Sequence, residues 1–456
     1  MSSNFSRRAF IKKTSLGAAG AFIGMEALAT GAAPALQLSG TPALLGGTPL
    51  MTKDNWVKWP VWIPETDEPL VLEALRSGVW SRAKLVARFE EEYARLLGAK
   101  RCLSTVNGTN ALIVALNQLG VGAGDEVIVP PYTFVATIQA VLVNGAIPVF
   151  ADIDPHTYQI DPVKIEEKIT PRTKLILPVH ILGMPADMDR IMAIAKKRNL
   201  LVLEDACQAH LAEIGGKKAG TIGHAGCFSF QTSKNLAIGE GGAIVSDDDD
   251  LMDRCFSYHN LGFPYGVAPG AVASGSVRIG GKTRMAEYQA AIGLVQLKRL
   301  EAQTRIRNEN AVYLRKRLGN IPGIVPHRLY DNVTQAAYLL FAFRYQQDQF
   351  KGLSRDAFIK ALSAEGVPVS SGYTPLNTQP FIRDALESKN FRSMYAGNLV
   401  AYKTYMAQNQ CPQNEALCKE AVWITQNMLL GSAADMELIA GAIERIYKNA
   451  DQIKKA

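Results

Sequence analysis

Between Cys102 and Ser246, short runs rich in Val and Ile alternate with stretches of helical periodicity, and this alternation constrains the fold more than any other feature. Strands are expected at 126–129, 147–150, 174–179, 200–203, 227–230 and 243–245. Helical spacing predicts an amphipathic helix over 89–97, a helix apolar nearly all round over 111–119, and a third over 188–198. Strands buried on both faces and joined by helical crossovers form a mostly parallel sheet, so the fold class is α/β. Ligands of such sheets bind beyond the carboxyl ends of the strands, and chemistry is sought there.

A chain of 456 residues is too long for one compact core. Four segments are expected: a signal over 1–29, a Gly/Pro/Thr-rich linker over 30–55, the large α/β domain over 56–307, and a smaller α+β domain over 308–456. A single long helix is predicted over 284–304, and the acidic run 247–250 reads as a solvated turn and helix start. The N-terminal stretch Ser6-Arg7-Arg8-Ala9-Phe10-Ile11-Lys12, followed by a short apolar run and Ala27-Leu28-Ala29, has the form of a twin-arginine signal peptide, implying export from the cytoplasm. Of the formal charge of +7, residues 1–29 hold +3, and the balance left is too weak to point to nucleic acid. No apolar run reaches the roughly 20 residues of a membrane span, so stable membrane insertion is not expected. The six cysteines form no CxxC pair and the histidines no HExxH, so no metal site is expected. Cys207 and His210 alone make an incomplete ligand set, and Cys411 and Cys418 either pair or remain free thiols.

Three features carry chemistry. Asp205 follows the expected strand 200–203 and so sits at the sheet's carboxyl edge, where an acid needs a partner. Lys234 lies in a turn between two apolar strands, ahead of Gly239-Glu240-Gly241-Gly242. Asn107-Gly108-Thr109-Asn110 opens the apolar helix with backbone N–H groups, a hydroxyl and the positive dipole end, which suits a phosphate. Read singly, the first two are surface ions and the third a plain helix cap. Together, a lysine amine, a strand-end acid and a phosphate cradle are what pyridoxal 5'-phosphate requires: a Schiff-base partner, a counter-charge for the pyridine nitrogen, and an anion site.

The same stretches, with Gly124-Asp125-Glu126-Val127-Ile128-Val129-Pro130-Pro131-Tyr132-Thr133-Phe134, Glu204-Asp205-Ala206-Cys207-Gln208-Ala209-His210, Phe228-Ser229-Phe230 and Arg284-Met285-Ala286-Glu287, resemble the DegT/DnrJ/EryC1/StrS family of sugar aminotransferases over roughly residues 55–450. The resemblance implies the fold of type I pyridoxal-phosphate-dependent transferases, with a large domain of mostly parallel sheet, a smaller α+β C-terminal domain, and a homodimer with shared active sites. It implies Lys234 as the Schiff-base lysine and Asp205 as partner of the pyridine nitrogen. Phe134 is the implied ring-stacking aromatic, the alternative being a core residue. Gln208 is implied at the phenolic oxygen, and Gly108, Thr109, Asn110 and Ser229 at the phosphate. His180 is either near the pocket or a satisfied core histidine. One departure stands out: Lys282 in Gly280-Gly281-Lys282-Thr283-Arg284-Met285 occupies the place where the family has an Asn directed at the neighbouring subunit's phosphate. Lysine can reach a phosphate as a point charge.

The implied reaction moves an amino group from L-glutamate or L-glutamine to a keto sugar or keto cyclitol, and Gly372-Tyr373-Thr374-Pro375-Leu376 resembles the branch acting on cyclitol ketones with glutamine. Two rivals are a sugar dehydratase on the same fold, which carries His in place of the lysine, and a non-catalytic carbohydrate-binding protein, which would transfer no amino group.

Overall fold

Seven strands make the main sheet: β1 (Arg101–Thr105), β2 (Glu126–Val129), β3 (Ile147–Phe150), β4 (Thr173–Ile176), β5 (Leu201–Asp205), β6 (Ala225–Ser229) and β7 (Gly242–Ser246), in the order β1-β7-β6-β5-β4-β2-β3. From β3 through β6 all pairings are parallel, and β7 runs antiparallel to both its neighbours. The computed structural model describes residues 40–266, 275–395 and 401–456, so the expected signal segment 1–29 lies outside the described residues.

The strands read as continuous apolar runs because both faces are covered. In β2, Val127 and Val129 pack with Leu112 and Val114, while Ile128 turns to Ile176, Val202 and Ile191 on the opposite face. The helices that cover the sheet include α1 (Lys84–Leu97), α2 (Gly108–Gln118), α3 (Val135–Val143) and α4 (Met188–Arg198). Helix α4 has the expected bounds, capped by Asp187 at one end and by left-handed Asn199 at the other. Strand β1 was not expected, since Arg101-Cys102-Leu103-Ser104-Thr105 has little apolar content; its pairing with β7 supplies what its side chains do not.

The expected helix over 284–304 is α5 (Glu287–Leu318), which starts later and runs farther. It starts later because Ala286 is extended and the Glu287 carboxylate is engaged elsewhere, accepting from the N–H groups of Ala83, Leu85 and Val86 at the start of α1. It runs farther because Ala311, Leu314 and Leu318 find a second core after Ala290, Leu294 and Leu300 have used the first. That second core surrounds an antiparallel sheet of β8 (Ile324–Pro326), β9 (Leu340–Tyr345), β10 (Val369–Ser371) and β11 (Ala421–Thr425), in the order β8-β9-β11-β10. The division expected at 307/308 therefore falls within one continuous helix.

The expected linker is corrected for residues 41–55, while 30–39 lie outside the described residues. This segment docks on the C-terminal part of the chain: Met51 is buried, and the buried Glu365 carboxylate accepts from Ala43 N–H at 2.9 Å and Leu50 N–H at 3.0 Å. Arg445 pairs with the same carboxylate at 3.1 Å, so its charge is compensated.

Candidate functional site

A cavity of about 640 Å³ opens where the carboxyl ends of β5 and β6 meet the N-terminus of α2, a volume suited to a cofactor and a small substrate. Gly108, Thr109, Phe134, Asp205, Gln208, Ser229 and Lys234 all line it.

At its anionic end, Asn107 caps α2 by accepting from Asn110 N–H at 2.9 Å. The first-turn N–H groups of Gly108 and Thr109 have no intrahelical acceptor and lie at the positive end of the helix dipole. This turn is pressed against the sheet. A Cβ at Gly108 would stand 2.7 Å from Ser229 Cβ, and one at Gly242 would stand 2.5 Å from the Asn107 carbonyl oxygen, so neither position tolerates a side chain without movement. The close approach brings the Ser229 hydroxyl beside the helix start.

Asp205 ends β5 and is nearly buried. Thr137 Oγ1, on α3, donates to Asp205 Oδ2 at 2.8 Å, and the Cys207 N–H donates to Oδ1 at 3.2 Å. Because the Thr137 proton is committed to the carboxylate, Thr133 must donate to Thr137, at 2.8 Å. Among the described residues the acid is held by neutral donors only, so its charge remains available to a cationic ligand group.

Lys234 sits in a turn whose backbone N–H bonds Gln231. Neighbouring Asn235 anchors the segment by donating to the Ala337 carbonyl at 2.6 Å. Burial pushes the lysine pKa down, with Cys207 and Asp205 pulling weakly the other way. Its amine has no hydrogen-bond partner among the described residues. Phe134 is 54% exposed at the cavity wall, which decides between its two expected places: it is not core. Gln208 accepts from Leu182 N–H at 2.8 Å and donates to Tyr373 Oη at 3.1 Å, so its amide orientation is set.

Two expected residues are not brought into the cavity. The Asn110 amide turns back to Asn107 Oδ1 at 3.0 Å, completing the cap. Lys282 is exposed, bridged through its backbone to Asn260, and the role implied for it lies across a subunit interface. His180 is a satisfied core histidine: Nε2 meets Glu204 at 2.8 Å and Nδ1 accepts from Ala186 N–H. His210 is likewise committed. Its Nε2 donates to the Ser229 carbonyl and its Nδ1 accepts from Tyr93 Oη, each at 2.8 Å, while burial drives its pKa down to about 3. Cys411 and Cys418 carry free thiols.

Sequence reasoning missed Thr133, Thr137, Trp59, Gln426 and Asn427, which also line the cavity. Thr133 precedes Phe134 in a stretch already singled out and Thr137 follows three residues beyond its end, and that proximity was the available signal. Trp59 stands within an aromatic-rich segment and donates to the Thr232 carbonyl at 2.9 Å, next to the Lys234 turn.

The donor set fits pyridoxal phosphate: a helix N-terminus with no room for a Cβ for the phosphate, Phe134 against the ring, Asp205 for the pyridine nitrogen, and the free amine of Lys234 for the aldehyde. Residues 62–402 match the DegT/DnrJ/EryC1/StrS aminotransferase family. The chain belongs to this family. It is 33% identical over 428 residues to the L-glutamine:2-deoxy-scyllo-inosose aminotransferase of Streptoalloteichus tenebrarius, covering 90% of this chain and 99% of that one. Its fold is similar to that of 3-amino-5-hydroxybenzoic acid synthase, with a TM-score of 0.77 and 30% identity over 88% of this chain and 99% of the other. It is also similar to NtdA of Bacillus subtilis, solved with PMP as bound cofactor, with a TM-score of 0.70 and 27% identity over 88% and 83% of the two chains. Like other DegT/DnrJ/EryC1/StrS aminotransferases, this is a pyridoxal-phosphate-dependent enzyme of fold type I, and it transfers amino groups.

Proposed function

We propose that this enzyme moves the amino group of L-glutamine, or of L-glutamate, onto a keto cyclitol, with Lys234 as its catalytic base and acid. The observation that carries this reading is the desolvated amine of Lys234, without a hydrogen-bond partner among the described residues, in one cavity with the neutral-donor-held carboxylate of Asp205. When bound, the cofactor supplies an electron sink for the carbanion formed at the donor's α-carbon. Lys234 Nζ, its pKa lowered by burial, takes the α-proton from the donor and returns it on the acceptor side. Asp205 holds the pyridine nitrogen in its protonated form, a contribution strengthened by the low dielectric of the buried site.

The cavity's chemistry supports a neutral, hydroxyl-rich acceptor. Apart from Lys234, the described residues that line it include no cation, and Gln208, Asn427, Thr425 and Tyr373 supply neutral hydrogen-bonding groups. A nucleotide-linked sugar would bring a diphosphate that the described residues of this chain alone do not compensate. The similarity to a 2-deoxy-scyllo-inosose aminotransferase supports the same choice. Turnover of a keto cyclitol with glutamine, against none with nucleotide-linked keto sugars, tests it; the reverse preference refutes it.

We further propose a homodimer and export. Exposed apolar side chains gather around the start of α5 and the preceding loop, among them Trp80, Val79, Tyr288 and Ile279, the last 92% exposed, and Lys282 lies in the same stretch of chain. Sedimentation equilibrium showing a monomer at micromolar concentration would refute the dimer. Export rests on Arg7-Arg8 and the apolar run after them; recovery of the intact, uncleaved chain from the cytoplasm alone would refute it.

A further inference from the structure

Among the described residues, Arg307 is the largest side chain buried completely, and it has no acid beside it. Its Nε and Nη2 both donate to Gln426 Oε1, at 2.9 and 2.5 Å, while Nη1 has no partner among the described residues. The guanidinium stands over the Trp59 ring, 5.2 Å from its centroid. Neither contact neutralises the charge, and burial pushes the pKa down to about 9. A buried, uncompensated cation is costly unless something arrives to meet it.

Arg307 does not itself line the cavity, but both of its contacts do. Gln426 is 3% exposed, and with Oε1 taken by two guanidinium donors, the end left for a ligand is Nε2, which donates to no group among the described residues. A guanidinium on the amide oxygen polarises the amide and strengthens its N–H as a donor. Gln426 is thus fixed in one orientation, with positive potential behind it. A ligand hydroxyl would gain little from that potential; a carboxylate would gain a charge-assisted hydrogen bond. Trp59 covers the same wall.

We propose that Gln426 binds a carboxylate of the amino-acid donor, with Arg307 as the positioning residue that orients and polarises its amide. The proposal rests on the aminotransferase reading of this cavity and adds the element that distinguishes donor from ketone.

The test separates the two half-reactions. With glutamine in single-turnover measurements, Gln426→Met should raise the half-saturating concentration about tenfold or more while leaving the limiting rate nearly unchanged, and half-saturation by the keto cyclitol should not move. Gln426→Glu, which places an acid against Arg307, should raise it further. Because Gln426→Met strands a buried cation, the double variant Arg307→Met/Gln426→Met serves as the well-folded control, since removing both partners is far less disruptive than removing one. Calorimetry with glutarate, an unreactive dicarboxylate, gives a readout independent of turnover: binding should weaken by a similar factor in each variant. Unchanged glutamine saturation and glutarate binding in the double variant would overturn the proposal, as would a shift confined to the ketone. If the wild type transferred no amino group from any amino acid, the aminotransferase reading would fall, and glutarate binding would still judge the carboxylate subsite.

Discussion

Replacing Gly108 by alanine sets two effects against each other at the phosphate end of the site. Gly108 is the first residue of α2, and its φ is not in the left-handed region, so on propensity alone alanine should stabilise the helix by about 0.4–1 kcal/mol. The new methyl, however, would stand 2.7 Å from Ser229 Cβ, 2.9 Å from Cys207 Sγ and 3.2 Å from Ser229 Cα. Two of these atoms belong to a buried strand rather than to the tip of a flexible side chain, so relief requires α2 and β6 to separate. Overpacking of this kind costs about 1–3 kcal/mol, which outweighs the propensity gain. The net expectation is a loss of about 1–2 kcal/mol, with a greater effect on function, because the separation moves the Ser229 hydroxyl away from the start of α2. Chemical denaturation should show the lowered midpoint, and titration with pyridoxal phosphate should show affinity weakened about tenfold or more. Gly122→Ala is the matched control: its Cβ would meet only the Asn144 carbonyl oxygen at 4.0 Å, and it should behave as wild type. A Gly108→Ala enzyme with unchanged cofactor affinity would refute the cradle.

Three further predictions follow from charge and burial. Thr137→Val removes the hydroxyl that donates to Asp205 Oδ2, and should cost about 1.5–3 kcal/mol in stability, while turnover falls because the carboxylate is no longer held; denaturation midpoints and kcat check it. His210, His259 and His327 are each driven by burial to a pKa of about 3, below the unfolded value of 6.5. The unfolded chain therefore takes up protons first, and stability falls as pH drops below 6.5, by about 2 kcal/mol per histidine at pH 5; a flat stability profile from pH 7 to 5 would contradict this. Lys234 also has a lowered pKa, so its burial penalty fades as pH rises toward the unfolded value of 10.5. The cofactor-free wild type should gain stability relative to Lys234→Met over that alkaline range, as read from urea midpoints.

What was legible in the sequence follows from what is local. The strands of the parallel sheet were visible because burial on both faces makes each a short apolar run, and Asp205 and Lys234 stood out because polar groups at the ends of such runs are costly without a purpose. Contacts distant along the chain were not visible. Thr137 reaches Asp205 across 68 positions, and Arg307 reaches Gln426 across 119. Glu287 caps a helix about 200 positions earlier, and its own helix begins with it rather than at Arg284. Asn110 shows the converse: an amide read as a ligand turns one N–H to the cap one turn away, a competition that residue type alone does not resolve. The segment 41–55 reads as a linker by composition, yet Glu365 and the core around Met51 hold it in place.

Borohydride reduction of the holoenzyme followed by peptide mass mapping asks whether Lys234 carries the cofactor. The expected result is a yellow protein that bleaches on reduction and a pyridoxyl adduct on the peptide containing Lys234, with none in Lys234→Met. An adduct on another lysine, or a protein that stays colourless with added pyridoxal phosphate and yields no adduct, would contradict it.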